Sequence, residues 1–304
     1  MKASDVIDGE ARWSVEKSDA LEFLQSLPDD SVDVIFSSPP YSDARTYGIA
    51  ANRNSSSWVE WMRPIVVEAC RVSAGLVLLN VSDTVDDCCY QNGPEWLHAD
   101  LTRLDGLSAI RPYVWAKMHP TNDDAPCGGQ PGSGAKHFHR NAWEPIYGYA
   151  VPSKLPPRWS NNTAFGAPPR HKSGGAMTQR LKNGTRKNLG RMTDLGHEGQ
   201  PDICNPGNVI RAMVGGGHLG HALAHDGEAP MPVQVAERFV CWFCPPDGIV
   251  LDMFTGSGTT CHAAIEHGRR FVGCDIRESQ VKLTRRRMST VTPCLPMEAA
   301  DAPA

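Results

Sequence analysis

Residues 248–276 read in succession as strand, glycine loop, helix and strand, and a chain carrying that unit is committed to a parallel sheet. The run Ile249-Val250-Leu251-Asp252-Met253 is short, apolar and rich in branched side chains, as a strand buried on both faces must be. It gives way to Phe254-Thr255-Gly256-Ser257-Gly258, then to a helical pattern over 260–267, then to a strand over 270–275 that ends in Asp275. Gly256 and Gly258 lack the β-carbons that would hold a ligand away from the backbone, and Thr259-Thr260 opens a helix whose first N–H groups have no intrahelical acceptor. Such a loop suits a nucleotide-like ligand, and a carboxylate placed as Asp275 is can accept both ribose hydroxyls. Two other glycine-loop readings fail on detail. Cys261 stands where the dinucleotide fingerprint needs its third glycine, and the Gly-Lys-Ser/Thr of a phosphate-binding loop is absent.

A second apolar run, 32–37, ends in Ser38-Pro39-Pro40-Tyr41. Two prolines stop a strand, and the carboxyl edge of a parallel sheet is where ligands bind. Each proline keeps a carbonyl oxygen while lacking an N–H, so the corner can aim rigid acceptors at an amine that must lose a proton. Tyr41 adds a flat face against which a base can stack.

Taken together, these segments resemble the amino-group DNA methyltransferases, which modify adenine N6 or cytosine N4 with S-adenosyl-L-methionine. Asp252-Met253-Phe254-Thr255-Gly256-Ser257-Gly258-Thr259-Thr260 resembles the family's cofactor loop, Cys274-Asp275 its acidic ribose motif, and Ser38-Pro39-Pro40-Tyr41 its catalytic motif. Asp19-Ala20-Leu21 is similar to the segment that touches the cofactor's adenine, and residues 229–239 to the helix beside the cofactor. The catalytic motif precedes the cofactor loop, which resembles the permuted subgroup called the β class. Release-factor glutamine methyltransferases carry a related Asn-Pro-Pro-Tyr after their cofactor loop, so the order argues against a protein substrate. The resemblance implies an α/β fold: a Rossmann-like methyltransferase core on a mostly parallel seven-stranded sheet, with a late antiparallel hairpin using the strands near Tyr113 and Ile146, and an inserted loop-rich target-recognition region. It makes Ser38, Pro39, Pro40 and Tyr41 catalytic, and assigns the cofactor to Asp19, Asp252, Phe254, Gly256, Ser257, Gly258, Thr259, Thr260 and Asp275.

The net charge of −4 looks wrong for a DNA-binding protein until the charges are located. Between Lys154 and Thr193 stand Lys154, Arg158, Arg170, Lys172, Arg180, Lys182, Arg186, Lys187 and Arg191, with no Asp or Glu among them. That is an electrostatic footprint for phosphates, in a stretch rich in Gly, Pro, Ser and Asn that reads as an extended lobe rather than packed core. A solvated linker is the competing reading. The target-recognition region of the β class falls at this place, between the strands after the catalytic motif and the helix before the cofactor loop. The polar segment 42–57, with Arg45, reads as a loop that closes over the target base or contacts phosphates.

The amine dictates the chemistry expected of the corner. Its lone pair is delocalised into the base, so the nitrogen is a poor nucleophile until hydrogen-bond acceptors draw it toward tetrahedral geometry. The Ser38 hydroxyl and the Pro39 carbonyl are the acceptors proposed here, with double-stranded DNA as substrate and its target base flipped onto Tyr41. In the family, Ser in place of Asp at the head of the motif leans toward cytosine N4, and adenine N6 is the alternative. A fold relic that binds DNA without catalysis would be expected to show damage at Ser38, Tyr41, Gly256 or Asp275, and all four residue types are intact. An RNA methyltransferase is a further alternative.

At 304 residues and 40% hydrophobic content the chain can bury one large core plus an insertion: 1–152 as the catalytic half, 153–226 as target recognition, 227–290 as the cofactor half and 291–304 as a tail. No segment approaches the ~18 consecutive apolar residues that span a bilayer, and the first residues have no signal-like core, so no membrane partner and a cytoplasmic location are expected. The ten cysteines read as thiols in a chain of this length. Cys241-Trp242-Phe243-Cys244 has metal-ligand spacing, and His218, His221 and His225 lie nearby, but one such pair without a second is not a zinc site, and no metal is expected. Family habit adds a homodimer and a cognate restriction endonuclease as partners to look for, neither with a signature in the chain.

Overall fold

The computed structural model describes residues 1–41, 54–86, 89–118, 141–155, 165, 176–191, 206–214, 219–227 and 230–291. Two compact units are present: Met1–Trp159 together with Asn208–Ala304, and Ser160–Gly207. The second is narrower than the insertion expected from sequence, because Pro152–Lys154 and Val209–Arg211 belong with the larger unit.

The larger unit begins with α1 (Ala3–Ile7), β1 (Trp13–Lys17), α2 (Ala20–Gln25), β2 (Val34–Ser37), α3 (Ser55–Val72) and β3 (Val77–Asn80). A small hairpin, β4 (Thr84–Asp86) and β5 (Cys89–Gln91), leads to α4 (Gly93–Leu101), β6 (Ser108–Ala109), β7 (Tyr113–Ala116) and β8 (Trp143–Ala150). Within the smaller unit, β9 (Ala176–Arg180) pairs antiparallel with β10 (Arg186–Arg191). The chain then returns through β11 (Val209–Arg211), α5 (Val233–Phe243), β12 (Ile249–Asp252), α6 (Thr259–Glu266), β13 (Arg270–Asp275) and α7 (Glu278–Met288).

One sheet organises the larger unit, in the order β1-β13-β12-β2-β3-β8-β7-β11 with β6 also on β8. The five strands from β1 to β3 are mutually parallel, and β8 runs against β3, β7 and β6. Seven of the strands form the expected sheet, including the antiparallel pair that sets Tyr113 opposite Ile146. Short β6 and β11 widen it to nine.

The central strands β2, β3 and β12 are buried at every residue, which is why they read as continuous apolar runs. On one face α3 offers Trp58, Met62, Ile65, Val66 and Ala69, a three-and-four spacing that gives a helix one apolar side. On the other, Phe239 of α5 stacks on Phe36 of β2 at 4.8 Å between ring centroids, both fully buried, a pair whose burial contributes about 2 kcal/mol per ring. The Asp33 carboxylate accepts the Ile249 N–H at 2.7 Å, tying the entrances of β2 and β12.

Lys154 departs from its sequence assignment. Its ammonium donates to the carbonyls of Cys70, Arg71 and Ser73 at 3.1–3.2 Å and pairs with Asp30. A cation there satisfies the open carbonyls at the end of α3. Lys154 thus caps the end of α3.

Candidate active site

A cavity of about 290 Å³ opens at the carboxyl ends of β2, β12 and β13. Its wall joins Asp19, the whole Ser38–Tyr41 corner, Asp252, Phe254, Gly256, Ser257, Thr259, Thr260 and Asp275. Residues from opposite ends of the chain meet because crossovers in a parallel sheet return every strand to the same edge.

Asp19 caps α2, its carboxylate accepting the N–H groups of Leu21 and Glu22 at 2.9 and 3.4 Å. Asp275 does more than the sequence suggests. One of its oxygens accepts the Gly256 N–H at 3.0 Å, and the other accepts the Arg277 N–H at 2.9 Å, with the Arg277 guanidinium 3.5 Å away. It therefore fixes the glycine loop, and Oδ2, with one donor, keeps a second lone pair.

The two loop glycines divide the work that sequence gave to both. Gly256, with φ of +53°, lies on the cavity wall, and a β-carbon there would touch nothing closer than 3.8 Å. Gly258 is absent from that wall. It has φ of +80°, and a β-carbon would come within 2.6 Å of Thr284 in α7, so its bareness serves the turn and helix packing, not the ligand.

Beneath the loop, Arg287 is fully buried and donates to the Ser257 carbonyl at 3.0 Å, the Leu219 carbonyl at 3.3 Å and His262 Nδ1 at 2.7 Å. Burial and the neighbouring guanidinium push His262 down to about 4, so its imidazole is neutral and accepts. Asp252 is enclosed as well. It accepts the Ser37 hydroxyl at 2.5 Å and the Phe254 N–H at 3.0 Å, and desolvation raises its carboxyl to about 6. Through Ser37 and Asp252 the end of β2 is bonded to the start of the glycine loop.

Several site residues escaped the sequence reading. Trp58 donates its indole N–H to the Pro40 carbonyl at 2.8 Å, so of the two proline carbonyls Pro40's is committed to holding the corner. Trp61, one turn on, faces Phe254 across 5.7 Å and lines the cavity. Their three-residue spacing on a helix was the available signal. Beside the corner, the Tyr41 hydroxyl lies 3.3 Å from Ser38 Oγ and donates to Glu144 Oε2 at 3.2 Å. Asn80 also donates to Glu144 Oε2, at 2.8 Å, and Lys117 pairs with Glu144 Oε1 at 2.8 Å. An acid inside the buried strand β8 was the signal for this group.

In the smaller unit, Arg180, Lys182, Arg186 and Lys187 are exposed on the β9–β10 hairpin, with Arg186 directly opposite Arg180. Arg191 ends β10. Arg45, Arg158, Arg170 and Lys172 lie outside the described residues. Cys241 and Cys244 are buried thiols on and just after α5, as are Cys70, Cys261 and Cys274 elsewhere. His221 caps a short turn, and His218 lies outside the described residues.

A family model of DNA methylases, covering the N6 and N4 types, matches residues 32–286. The chain belongs to this family. Among the relatives of this DNA methylase, the DNA adenine methyltransferase YhdJ of Escherichia coli (strain K12) is 23% identical over 294 residues, 93% of this chain and 85% of its own length. The type II methyltransferase M.BglII of Bacillus subtilis is 23% identical over 90% of this chain and 68% of its own. In fold, the cytosine-N4-specific PvuII DNA methyltransferase superposes with a TM-score of 0.61 at 16% identity, over 91% of this chain and 86% of that one. A DNA modification methylase of Thermus thermophilus, TTHA0409, solved with S-adenosyl-L-methionine, gives 0.55 at 20% identity over 95% and 99%. No helix among the described residues of the methylase is long and apolar enough to cross a membrane.

Proposed function

We propose that this DNA methylase transfers the methyl group of S-adenosyl-L-methionine to cytosine N4 in duplex DNA. The observation that carries the reading is Ser38, a neutral hydroxyl on the wall of the cavity that also holds the glycine loop and Asp275. When bound there, S-adenosyl-L-methionine supplies an electrophilic methyl on a sulfonium. The chain's residues fit such a cofactor: Asp275 Oδ2 has a lone pair left for a ribose hydroxyl, Gly256 leaves the backbone open, and Trp61 with Phe254 makes an aromatic wall.

The Ser38 hydroxyl and Pro39 carbonyl accept the two amine hydrogens, turning the nitrogen lone pair toward the methyl donor. With Pro40's carbonyl held by Trp58, the corner keeps its shape while this happens. Tyr41 receives the flipped base against its ring. A carboxylate at the first position would hold a proton more firmly than a serine does, and the more polarised cytosine amine needs less help.

The hairpin of the smaller unit supports a DNA substrate. Two like charges set opposite one another repel, and Arg180 opposite Arg186 is offset when polyanion phosphates lie across them. Adenine N6 is the second reading, favoured by the name of the YhdJ relative. Nucleoside mass spectrometry of duplex DNA incubated with protein and cofactor tests both. N4-methylcytosine is expected, and N6-methyladenine alone overturns the cytosine target.

A further inference from the structure

Ser38 can help the amine only if its oxygen arrives as an acceptor, yet a serine hydroxyl rotates and can equally present its hydrogen. The surroundings of Tyr41 decide between these states. Glu144 is 6% exposed and sits at the start of the reversed strand β8. Lys117 pairs with its Oε1 and the Asn80 amide donates to its Oε2, each at 2.8 Å, so both carboxylate oxygens already face donors. Oε2 accepts there as well, from the Tyr41 hydroxyl at 3.2 Å, so Tyr41 is the donor in that bond. With its one hydrogen spent, the Tyr41 oxygen faces Ser38 Oγ at 3.3 Å as an acceptor, and the Asn80 amide adds a second hydrogen to it at 3.4 Å. Ser38 must then point its hydrogen at Tyr41. Both of its lone pairs are left for the cavity.

We infer that Glu144, held by Lys117 and Asn80, is a positioning residue that fixes the polarity of the Ser38–Tyr41 hydrogen-bond chain, so that Ser38 meets the target amine as an acceptor. This rests on the assignment of Ser38 to the amine in the reading above. It adds a second task for Tyr41, whose ring and hydroxyl become separable. It also gives buried Glu144, paired with the half-buried Lys117 at the facing ends of the β7–β8 pair, a reason to stand beside a catalytic corner.

Tyr41→Phe and Glu144→Gln, singly and together, are the test, each measured for single-turnover methyl transfer to DNA, cofactor affinity and melting temperature. Tyr41→Phe keeps the ring and frees the Ser38 rotor, so the rate should fall about tenfold while cofactor affinity and KM for DNA stay within about twofold. Glu144→Gln can turn its amide toward Tyr41 and reverse the chain, so its rate should fall at least as far. Because both changes break one chain, the double variant should be no slower than the slower single variant. A purely structural role would instead lower melting temperature and cofactor affinity with the rate, and the two losses would multiply. Full rates in both single variants, or multiplicative losses, overturn the inference while leaving the reading of the site intact. No methyl transfer to DNA by the unaltered protein overturns that reading itself.

Discussion

Asp252 is a carboxyl group that the fold would rather keep neutral. Its ordinary value of 3.8 rises to about 6, chiefly from burial and against the pull of the Ser37 hydroxyl and the Phe254 N–H. A raised acid contributes stability that is complete below about pH 4 and is lost as the pH climbs through about 6, where the buried group must ionise. Asp252→Asn keeps an oxygen for the Ser37 hydroxyl and the Phe254 N–H, which share Oδ1, and removes the ionisation. Its stability relative to the unaltered protein should therefore improve between pH 4 and 6.5 and then level off, by up to about 3 kcal/mol at roughly 1.4 kcal/mol per pKa unit. Melting temperatures at pH 4.5 and 7.5 check this, and an unchanged difference between the two would place the cause elsewhere. The same residue shows what sequence can and cannot convey at this scale. Asp252, Asp275 and Ser38 were legible because each ends a strand or directly follows one, and strand ends converge on one edge. Their partners were not, since nothing local marks Ser37 as the donor to Asp252, or Glu144 as the anchor of Tyr41. Those pairings depend on the order of strands in the sheet.

Elements with a strong period were readable, and elements without one were not. The helix expected within 229–239 is α5, whose apolar residues recur at helical intervals, and the strand over 270–275 coincides with β13, a short buried run. The hairpin β9–β10 has no apolar face to betray it, and its residues from Thr178 to Asn188 that can be described are exposed. Asn183 and Gly184 close its turn, with the Asn183 side chain accepting the Thr185 N–H at 3.1 Å and Gly184 at φ of +84°. A ribbon of two strands carrying opposed arginines is of the size that a DNA groove admits. If it meets phosphates, Arg180→Ala with Arg186→Ala should weaken binding to all duplex sequences alike and flatten the dependence of affinity on salt by about two counterions. Titrations of duplex DNA at several salt concentrations read this directly. An unchanged slope would remove the hairpin from the interface.

For the whole molecule, the order of motifs and the order of strands are different things. The strand that leads to Ser38 comes early and the strand that leads to the glycine loop late, yet β12 and β2 are neighbours in the sheet, with Leu251 beside Ile35. The buried apolar core that surrounds them draws its described residues from 3–107, 147–149 and 249–274, all in the larger unit. That unit should accordingly survive replacement of residues 160–207 by a short Gly/Ser linker. Cofactor affinity and the cooperative melt should be retained within about twofold and a few degrees, with DNA affinity lost. Loss of the melt would show that the smaller unit is needed to complete the fold. Overall architecture was the most legible property of the chain, because alternation of strand and helix fixes a parallel sheet whatever the loops contain. The two extra strands, β6 and β11, are two and three residues long, too short for any periodicity to register.

The reversal of β8 has a mechanical consequence. Parallel strands deliver only their last residues to the ligand edge, so everything placed there by β2, β3, β12 and β13 is set by rigid core. Because β8 runs the other way, it delivers its first residues, and Glu144 reaches the edge just as the chain leaves the connection that follows β7. Glu144 and Lys117 are thus set by the antiparallel pairing of β8 with β7 and β3, while Asp252 and Asp275 are set by parallel strands, and the two sides of the site answer to different pairings of one sheet.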